Sequence, residues 1–344
     1  MEGVGAEEKK MAKVGVIGAG SWGIALSLVL FDNGHNVTVW SILKEEVDML
    51  NREHEQKEKL PGVILPDEIR FTTDIAEACR DAELLVLAVP SPFTRSTAHL
   101  MADHVKSGQL IVSVAKGIEE DTLYTLTDII KEEIPDSEVA VMSGPSHAEE
   151  VGRKIPTICV TGAHDKKTAE YIQDVFMNSY FRVYTSPDVL GIELGGALKN
   201  VVALAAGMAD GLGYGDNTKA ALITRGIHEI SRLGMKMGGR METFAGLTGI
   251  GDLIVTCASM HSRNRRAGIL IGRGATMQEA MDEVKMVVEG VYSAKAAVAL
   301  GEKYGVSLPI IEQVDQVLFH DKPAGDAVKD LMSRDRKSEI DWEE

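Results

Sequence analysis

Six residues near the amino terminus, Gly18-Ala19-Gly20-Ser21-Trp22-Gly23, constrain the fold of this chain more than any other feature. The spacing is G-x-G-x-x-G, and its setting gives it force. It directly follows an apolar strand, Lys13-Val14-Gly15-Val16-Ile17, and opens an apolar helix over residues 23–33. In such a strand-turn-helix unit the first glycine permits the tight turn and the second lets a pyrophosphate approach the backbone. The third lets helix and strand pack closely, with the helix amino terminus facing the anion. The unit fits a parallel sheet with helices on its faces, and with strand, turn and helix all in place it points to a dinucleotide rather than to a glycine-rich turn of some other α/β protein.

The first half of the chain continues that rhythm. Apolar runs at 14–17, 36–40, 84–89, 110–114, 139–142, 157–160 and 181–184 read as strands. Most are continuous in Val, Ile and Leu, which suits strands buried on both faces of a largely parallel sheet. Helical patterns at 23–33 and 121–133 separate some of them. Beyond Pro187 the pattern changes to helical periodicity, with Leu222, Gly226, Glu229 and Leu233 marking turns of one long segment. The expected fold class is therefore an α/β Rossmann-type amino-terminal domain plus an all-α carboxy-terminal domain. We place the first at residues 1–187 and the second at 188–344, ending in a highly charged, frayed tail from Ser333.

Composition narrows the function classes. At 344 residues, with 44% hydrophobic and 26% charged, the chain suits two globular domains. No apolar run is read as long enough for the ~20 residues that cross a bilayer. Residues 1–13 are polar and lack the apolar region of a secretory signal, and Met11 offers an alternative start. Cys79, Cys159 and Cys257 are far apart and form no CxxC pair. That argues against a disulfide framework and a zinc site and suits a reducing, cytoplasmic setting. A net charge of −16 repels nucleic acid and anionic membranes, so an anionic substrate needs a local basic cluster.

The end of the second strand normally shows which ribose is bound. An acid there takes the 2′-hydroxyl of NAD, and an arginine accommodates the 2′-phosphate of NADP. Here the strand runs out through Trp40-Ser41-Ile42, with neither, and Lys44 follows two residues later. Cofactor choice is left open between NADH and NADPH.

Several segments carry further chemistry. Lys116-Gly117-Ile118 and Gly144-Pro145-Ser146-His147-Ala148 follow strands, at the carboxyl ends where open α/β sheets bind ligands. A solvated lysine and an ordinary turn are the plainer readings of these two. Glu193-Leu194-Gly195-Gly196-Ala197-Leu198-Lys199-Asn200 sets a lysine and an asparagine in an otherwise apolar helix, which is costly unless they have partners. The neighbouring glycines cost about 1 kcal/mol each relative to alanine, so close packing or a ligand must compensate. A partly desolvated Lys199 has a lowered pKa and can serve as general acid or base, whereas a snorkelling Lys199 does neither. Gly251-Asp252-Leu253 offers a carboxylate to orient a cation, or only a helix cap. Ser262-Arg263-Asn264-Arg265-Arg266 is the basic cluster: Ser262 can cap the helix that starts there, and Arg263 adds a fork suited to phosphate. Arg265 and Arg266 read as surface or interface charges. His147, His228 and His261 share no metal-ligand spacing, and each reads as satisfied or solvated; no metal is expected.

Taken in order, Gly18–Gly23, Ala115-Lys116-Gly117, Ser143–Ala148, Glu193–Asn200, Gly251-Asp252-Leu253 and Ser262–Arg265 resemble the NAD(P)-dependent glycerol-3-phosphate dehydrogenases of the bacterial biosynthetic type. The likeness spans roughly residues 13–332. It implies hydride transfer with NADH or NADPH between dihydroxyacetone phosphate and sn-glycerol 3-phosphate, supplying glycerophospholipid synthesis. It implies Lys199 as the proton donor and acceptor, with Lys116, Asp252 and Thr256 beside it. Lys116, Gly144, Ser146, Lys199, Asn200, Asp252, Ser262, Arg263 and Asn264 would line a small phosphate-ester substrate. Gly18, Gly20, Ser21, Trp22, Gly23, Lys116, Ala148, Arg263, Val287 and Glu289 would hold the cofactor. A homodimer is implied as well. One departure stands out: relatives often carry Arg or His where this chain has Ile42, which argues against strong NADP preference. The nearest rivals are a β-hydroxyacid or 6-phosphogluconate-type dehydrogenase of the same architecture, and a dinucleotide sensor without chemistry. The Ser262–Arg265 cluster disfavours the first, and Lys199 with Asp252 disfavours the second.

Overall fold

The structure is a computed structural model and describes residues 11–336, 338 and 339. The amino-terminal segment before Met11 and part of the charged tail lie outside the described residues. Eight strands form one sheet: β1 (Lys13–Ile17), β2 (Asn36–Trp40), β3 (Arg70–Thr72), β4 (Leu84–Leu87), β5 (Leu110–Ser113), β6 (Glu138–Ser143), β7 (Thr157–Gly162) and β8 (Phe181–Ser186). Their order is β3-β2-β1-β4-β5-β6-β7-β8. Every neighbouring pair is parallel except β6 with β7. The strand order reverses between β1 and β4, and in open α/β sheets the crevice at such a point, outside the carboxyl ends, is where ligands bind.

The continuous apolar runs are explained by burial on both faces. β4, Leu-Leu-Val-Leu, is buried at every position. Apolar clusters cover the sheet on one side around Ile24, Leu26 and Val29, and on the other around Leu85, Met101 and Ile130. The sequence missed β3, which is three residues long, begins with an exposed arginine and lies at the sheet edge. The expected helix over 121–133 begins only at Leu126, where Thr125 and Asp128 form a reciprocal capping box. Before it, Ile118 bridges to Thr125 and Leu123 takes a positive φ of 61°, which no helix accommodates.

After β8 the described residues are helical. The helix Val189–Gly211 is the axis of this part, and helices Asp216–Met237, Asp252–Ala258, Arg263–Gly272, Glu289–Tyr304 and Pro309–Phe319 pack against it. By length and composition this 23-residue helix does reach what a membrane span requires, contrary to the sequence reading. Its most apolar stretch is 89% buried, because it is wrapped by other helices. The long segment marked by Gly226, Glu229 and Leu233 is the Asp216–Met237 helix, and those three side chains or backbones face inward.

Asp188 ties down the start of the axial helix. Its carboxylate accepts from Gly191 N at 3.0 Å, Arg240 N at 2.8 Å and Thr243 Oγ1 at 2.5 Å. One turn on, Glu193 reaches the sheet-bearing part of the chain and accepts from Thr127 N at 2.9 Å and Thr127 Oγ1 at 2.6 Å. Burial pushes the Glu193 carboxyl up to about 7, against the pull of those hydrogen bonds.

Candidate active site

The glycine turn between β1 and the helix Ser21–Asp32 has the geometry its spacing foretold. Gly18 sits at φ +121°, closed to most side chains, and a Cβ on it would lie 2.9 Å from the backbone after β4. A Cβ on Gly23 would lie 2.0 Å from Gly18 O, so only glycine lets this helix pack on its strand. At Gly20 a Cβ would meet nothing within 4 Å. The backbone there is bare and faces open space, with Gly20 as helix N-cap lacking any side-chain partner. Ser21 is buried in the first turn, and Trp22 is half-buried with its ring tilted against Phe181 at 6.5 Å.

The carboxyl ends of β5 and β6 bring Lys116 and Gly144 to the same edge as the glycine turn. Lys116 Nζ donates to Gly144 O at 3.0 Å and to Asp252 Oδ2 at 2.7 Å. The other carboxylate oxygen, Asp252 Oδ1, accepts from Lys199 Nζ. Lys199 Nζ also donates to Thr256 Oγ1 at 2.6 Å, and Thr256 Oγ1 in turn donates to Asp252 O at 2.6 Å. Asp252 is 1% exposed and Lys199 is 5% exposed, which rules out a snorkelling lysine. A π-helical turn at Leu247–Gly251 delivers Asp252 to the start of its helix. The glycines beside Lys199 have their compensation in close packing: a Cβ on Gly195 would lie 2.6 Å from Thr248 O, and one on Gly196 would lie 3.0 Å from Ser143 Oγ.

Electrostatics follow from this burial. Desolvation pushes the Lys199 ammonium down to about 8; Asp252 opposes that shift and Lys116 reinforces it. Burial alone would raise the Asp252 carboxyl, but the Lys116 and Lys199 charges outweigh it and hold the group below its ordinary value. One buried carboxylate thus serves two cations, leaving an excess of positive charge at the carboxyl edge of the sheet.

Ser262 caps the helix Arg263–Gly272, accepting from Arg265 N at 3.2 Å. Arg263 is half-buried at the first turn, near Glu289 and Glu149; burial lowers its pKa against their pull, and a guanidinium stays charged. Of the two readings for Arg265, a surface or an interface charge, the structure gives a mostly buried charge packed between helices. It donates to Asp210 at 2.8 Å through Nε and to Ala258 O at 2.8 Å, bracing this helix on the axial one. Asn200 and Asn264 are buried and joined, Asn264 Nδ2 to Asn200 Oδ1 at 3.0 Å, and Asn264 Oδ1 accepts from Gly290 N at 2.8 Å. Both amides thus tie three helices to one another.

Ala148 is buried at the start of the short helix after β6, and Val287 lies half-buried in the loop before Glu289. Glu289 is directed across to the sheet: its carboxylate accepts from Ser91 N at 3.1 Å and from Ser91 Oγ. Sequence reasoning missed Ser91, although it follows β4 as Lys116 follows β5, and the strand-end rule would have found it. It also missed Glu46. No acid stands in the strand end itself, but the first turn of the helix Lys44–Glu53 returns this one to it. Glu46 accepts from Ser41 Oγ at 2.5 Å, from Gln56 Nε2 at 2.6 Å and from Lys59. Ile42 is 69% exposed, and Lys44 is paired with Asp48 on the surface at 2.5 Å. All three cysteines are buried free thiols pushed up to about 12 by burial. Among the described residues no cluster of His, Cys, Asp and Glu side chains is placed to hold a metal ion.

Comparison with known proteins agrees with this geometry. Residues 13–169 match the family model for the amino terminus of NAD-dependent glycerol-3-phosphate dehydrogenase, and residues 188–329 match the model for its carboxy terminus. A glycerol-3-phosphate dehydrogenase [NAD(P)+] from Agathobacter rectalis is 68% identical over 335 residues, covering 96% of this chain and 100% of that one. One from Fusobacterium nucleatum is 61% identical over 332 residues, covering 96% and 99%. The crystal structure of glycerol-3-phosphate dehydrogenase from Coxiella burnetii superposes with a TM-score of 0.91 at 33% identity, covering 94% of this chain and 99% of that one. A bare glycine turn on a parallel sheet, two lysines on one buried aspartate, and matches over both halves lead to one conclusion: the chain belongs to the NAD-dependent glycerol-3-phosphate dehydrogenase family.

Proposed function

We propose that residues 1–187 bind the nicotinamide dinucleotide and residues 188–344 supply the substrate pocket and the proton-transferring group for interconverting dihydroxyacetone phosphate and sn-glycerol 3-phosphate. The observation that carries this reading is the buried Lys116–Asp252–Lys199 arrangement at the carboxyl edge of the sheet. The cofactor fits the residues present: Gly20 leaves open space over bare backbone at a helix amino terminus, which suits a pyrophosphate. Gly18, Gly20, Ser21, Trp22 and Gly23 would hold it at that end, with Lys116, Ala148, Arg263, Val287 and Glu289 toward the reacting end. When bound, NADH or NADPH supplies the hydride for the C2 carbonyl.

The chain's own groups do the rest. Arg263 and the capped helix start at Ser262 hold the phosphate and so align the carbonyl. Lys199 donates a proton to the carbonyl oxygen in reduction and accepts it in the reverse direction. Its pKa of about 8 keeps both protonation states within reach near neutrality. Lys116 adds positive charge where the oxygen becomes anionic, in a site sheltered from water where such charge counts most. Asp252 and Thr256 fix the Lys199 amine. Gly144, Ser146, Asn200 and Asn264 complete the lining. We propose further that the protein works in the cytoplasm as a homodimer and supplies glycerol 3-phosphate for phospholipid synthesis. Its net charge of −16 disfavours nucleic acid as a partner.

The test is consumption of reduced nicotinamide with dihydroxyacetone phosphate, set beside a panel of β-hydroxyacids and 6-phosphogluconate run in the oxidative direction. Turnover confined to the dihydroxyacetone phosphate couple is the expected outcome. Equal or greater turnover of a β-hydroxyacid would overturn the substrate assignment.

A further inference from the structure

Two histidines that the sequence separates by more than a hundred residues meet beside the candidate site. His147 follows Ser146 in the loop after β6; His261 directly precedes the cap residue Ser262. Their rings lie 5.9 Å apart between centroids and are tilted by 54°. The contact joins the sheet-bearing part of the chain to the helical part.

The His147 ring is only partly exposed, and its Nε2 atom is buried with no hydrogen-bond partner among the described residues. Buried polar atoms are nearly always paired, so one left over needs an explanation. The ring lies within the electrostatic reach of Lys199, Lys116, Glu149 and Asp252. Burial and the two lysines lower its pKa, so the imidazole is neutral at pH 7 and one ring nitrogen carries a proton. A neutral donor suits a place already crowded with ammonium groups, where a further charge would be repelled.

We propose that His147 is a substrate-binding residue whose Nε2–H donates to the phosphate group of the bound ester, with the His261 ring as the wall that fixes its orientation. The inference rests on the phosphate reading of the Ser262–Arg263 helix start. The His261 ring that His147 touches directly precedes Ser262, so His147 lies beside the residues that lead into that helix start, within electrostatic reach of Lys199 and Lys116. His147 discriminates phosphorylated from unphosphorylated substrates; it moves no proton.

Three variants test this. His147→Phe keeps a ring against His261 and removes the donor; His147→Gln keeps a donor near the Nε2 position; Lys199→Ala controls for the site as a whole. For His147→Phe the expected result is a KM for dihydroxyacetone phosphate raised about tenfold, or ~1.4 kcal/mol, with kcat nearly unchanged. The kcat/KM for dihydroxyacetone itself should stay within twofold, and His147→Gln should recover most of the loss. If His147→Phe does not fold, His147→Ala compared with His147→Gln asks the same question. Equal losses on both substrates, or a KM unmoved by His147→Phe, would overturn the proposal and leave His147 as cleft packing. If Lys199→Ala also kept full activity, the site reading itself would fail; if Lys199→Ala is inactive while His147 variants are unaffected, only this inference fails.

Discussion

At the inner end of the candidate site Asp252 is 1% exposed and both its oxygens hold lysines, whereas at the outer end of β2 Ile42 is 69% exposed and Lys44 is tied to Asp48 on the surface. The same kinds of groups occur at both ends, and burial sets their weight. A charge pair in water is worth little, while charges held away from water interact strongly and are costly to leave alone. The inner end therefore has one workable arrangement, and each substitution there should be felt. The outer end tolerates change, and substitutions there should tune cofactor choice without abolishing turnover.

The largest expected effect lies at the inner end. Lys199→Ala should lower kcat by ~10²–10⁴, the usual range for a general acid or base, while cofactor binding stays near that of the parent. Cofactor titration by fluorescence alongside steady-state kinetics checks both halves. Near-parental kinetics would mean that the buried ion pair is structural only.

A smaller effect is expected at the helix start. Arg263→Ala removes a charge-assisted contact worth about 1.5–3 kcal/mol, so kcat/KM for dihydroxyacetone phosphate should fall roughly ten- to a hundredfold. The same variant should change dihydroxyacetone turnover far less. Equal losses on the two substrates would exclude a phosphate-binding role for Arg263.

The smallest effects belong to the outer end. Ile42 offers a 2′-phosphate neither charge nor hydrogen bond, and Glu46 is already engaged by Ser41, Gln56 and Lys59. NADH and NADPH should therefore be used within about tenfold in kcat/KM, or ~1.4 kcal/mol. Ile42→Arg should shift the ratio toward NADPH, and Glu46→Gln should do so more weakly by releasing Lys59. Lys44→Ala should leave it unchanged, since Nζ pairs one turn along its own helix. A parental preference above ~100-fold that survives Lys44→Ala and Glu46→Gln would mean that another residue reads the ribose.

The two ends also differed in how far the sequence disclosed them. The glycine turn was legible because three glycines, a strand and a helix are consecutive, and local sterics define that turn completely. Lys199 was legible because a lysine among Leu, Ala and Val must be explained. Its partner was legible only as an option, Asp252 as orienting carboxylate or as helix cap, and through the family resemblance: Asp252 is 53 residues away, and it is the fold of the axial helix against the π-helical turn that brings them together. Glu289 with Ser91, 198 residues apart, and His147 with His261 were hidden for the same reason. Glu46 escaped because the strand-end rule looks at the strand itself, and here the acid returns from the following helix. The fold class was read from apolar runs, and what was lost was the short edge strand β3 and the late start of the helix at Leu126.

The central claim is that Lys199, lowered to about 8 by burial, carries the proton. Reduction requires its ammonium form and oxidation its amine form, so the two directions must respond oppositely to pH. The pH dependence of kcat/KM, which reports the free enzyme, tests this most directly. For dihydroxyacetone phosphate reduction it should fall as pH rises past about 8, and for glycerol 3-phosphate oxidation it should climb through the same region, with both transitions absent in the residual activity of Lys199→Ala. Profiles that move in the same direction, or that keep this transition without Lys199, would contradict the account.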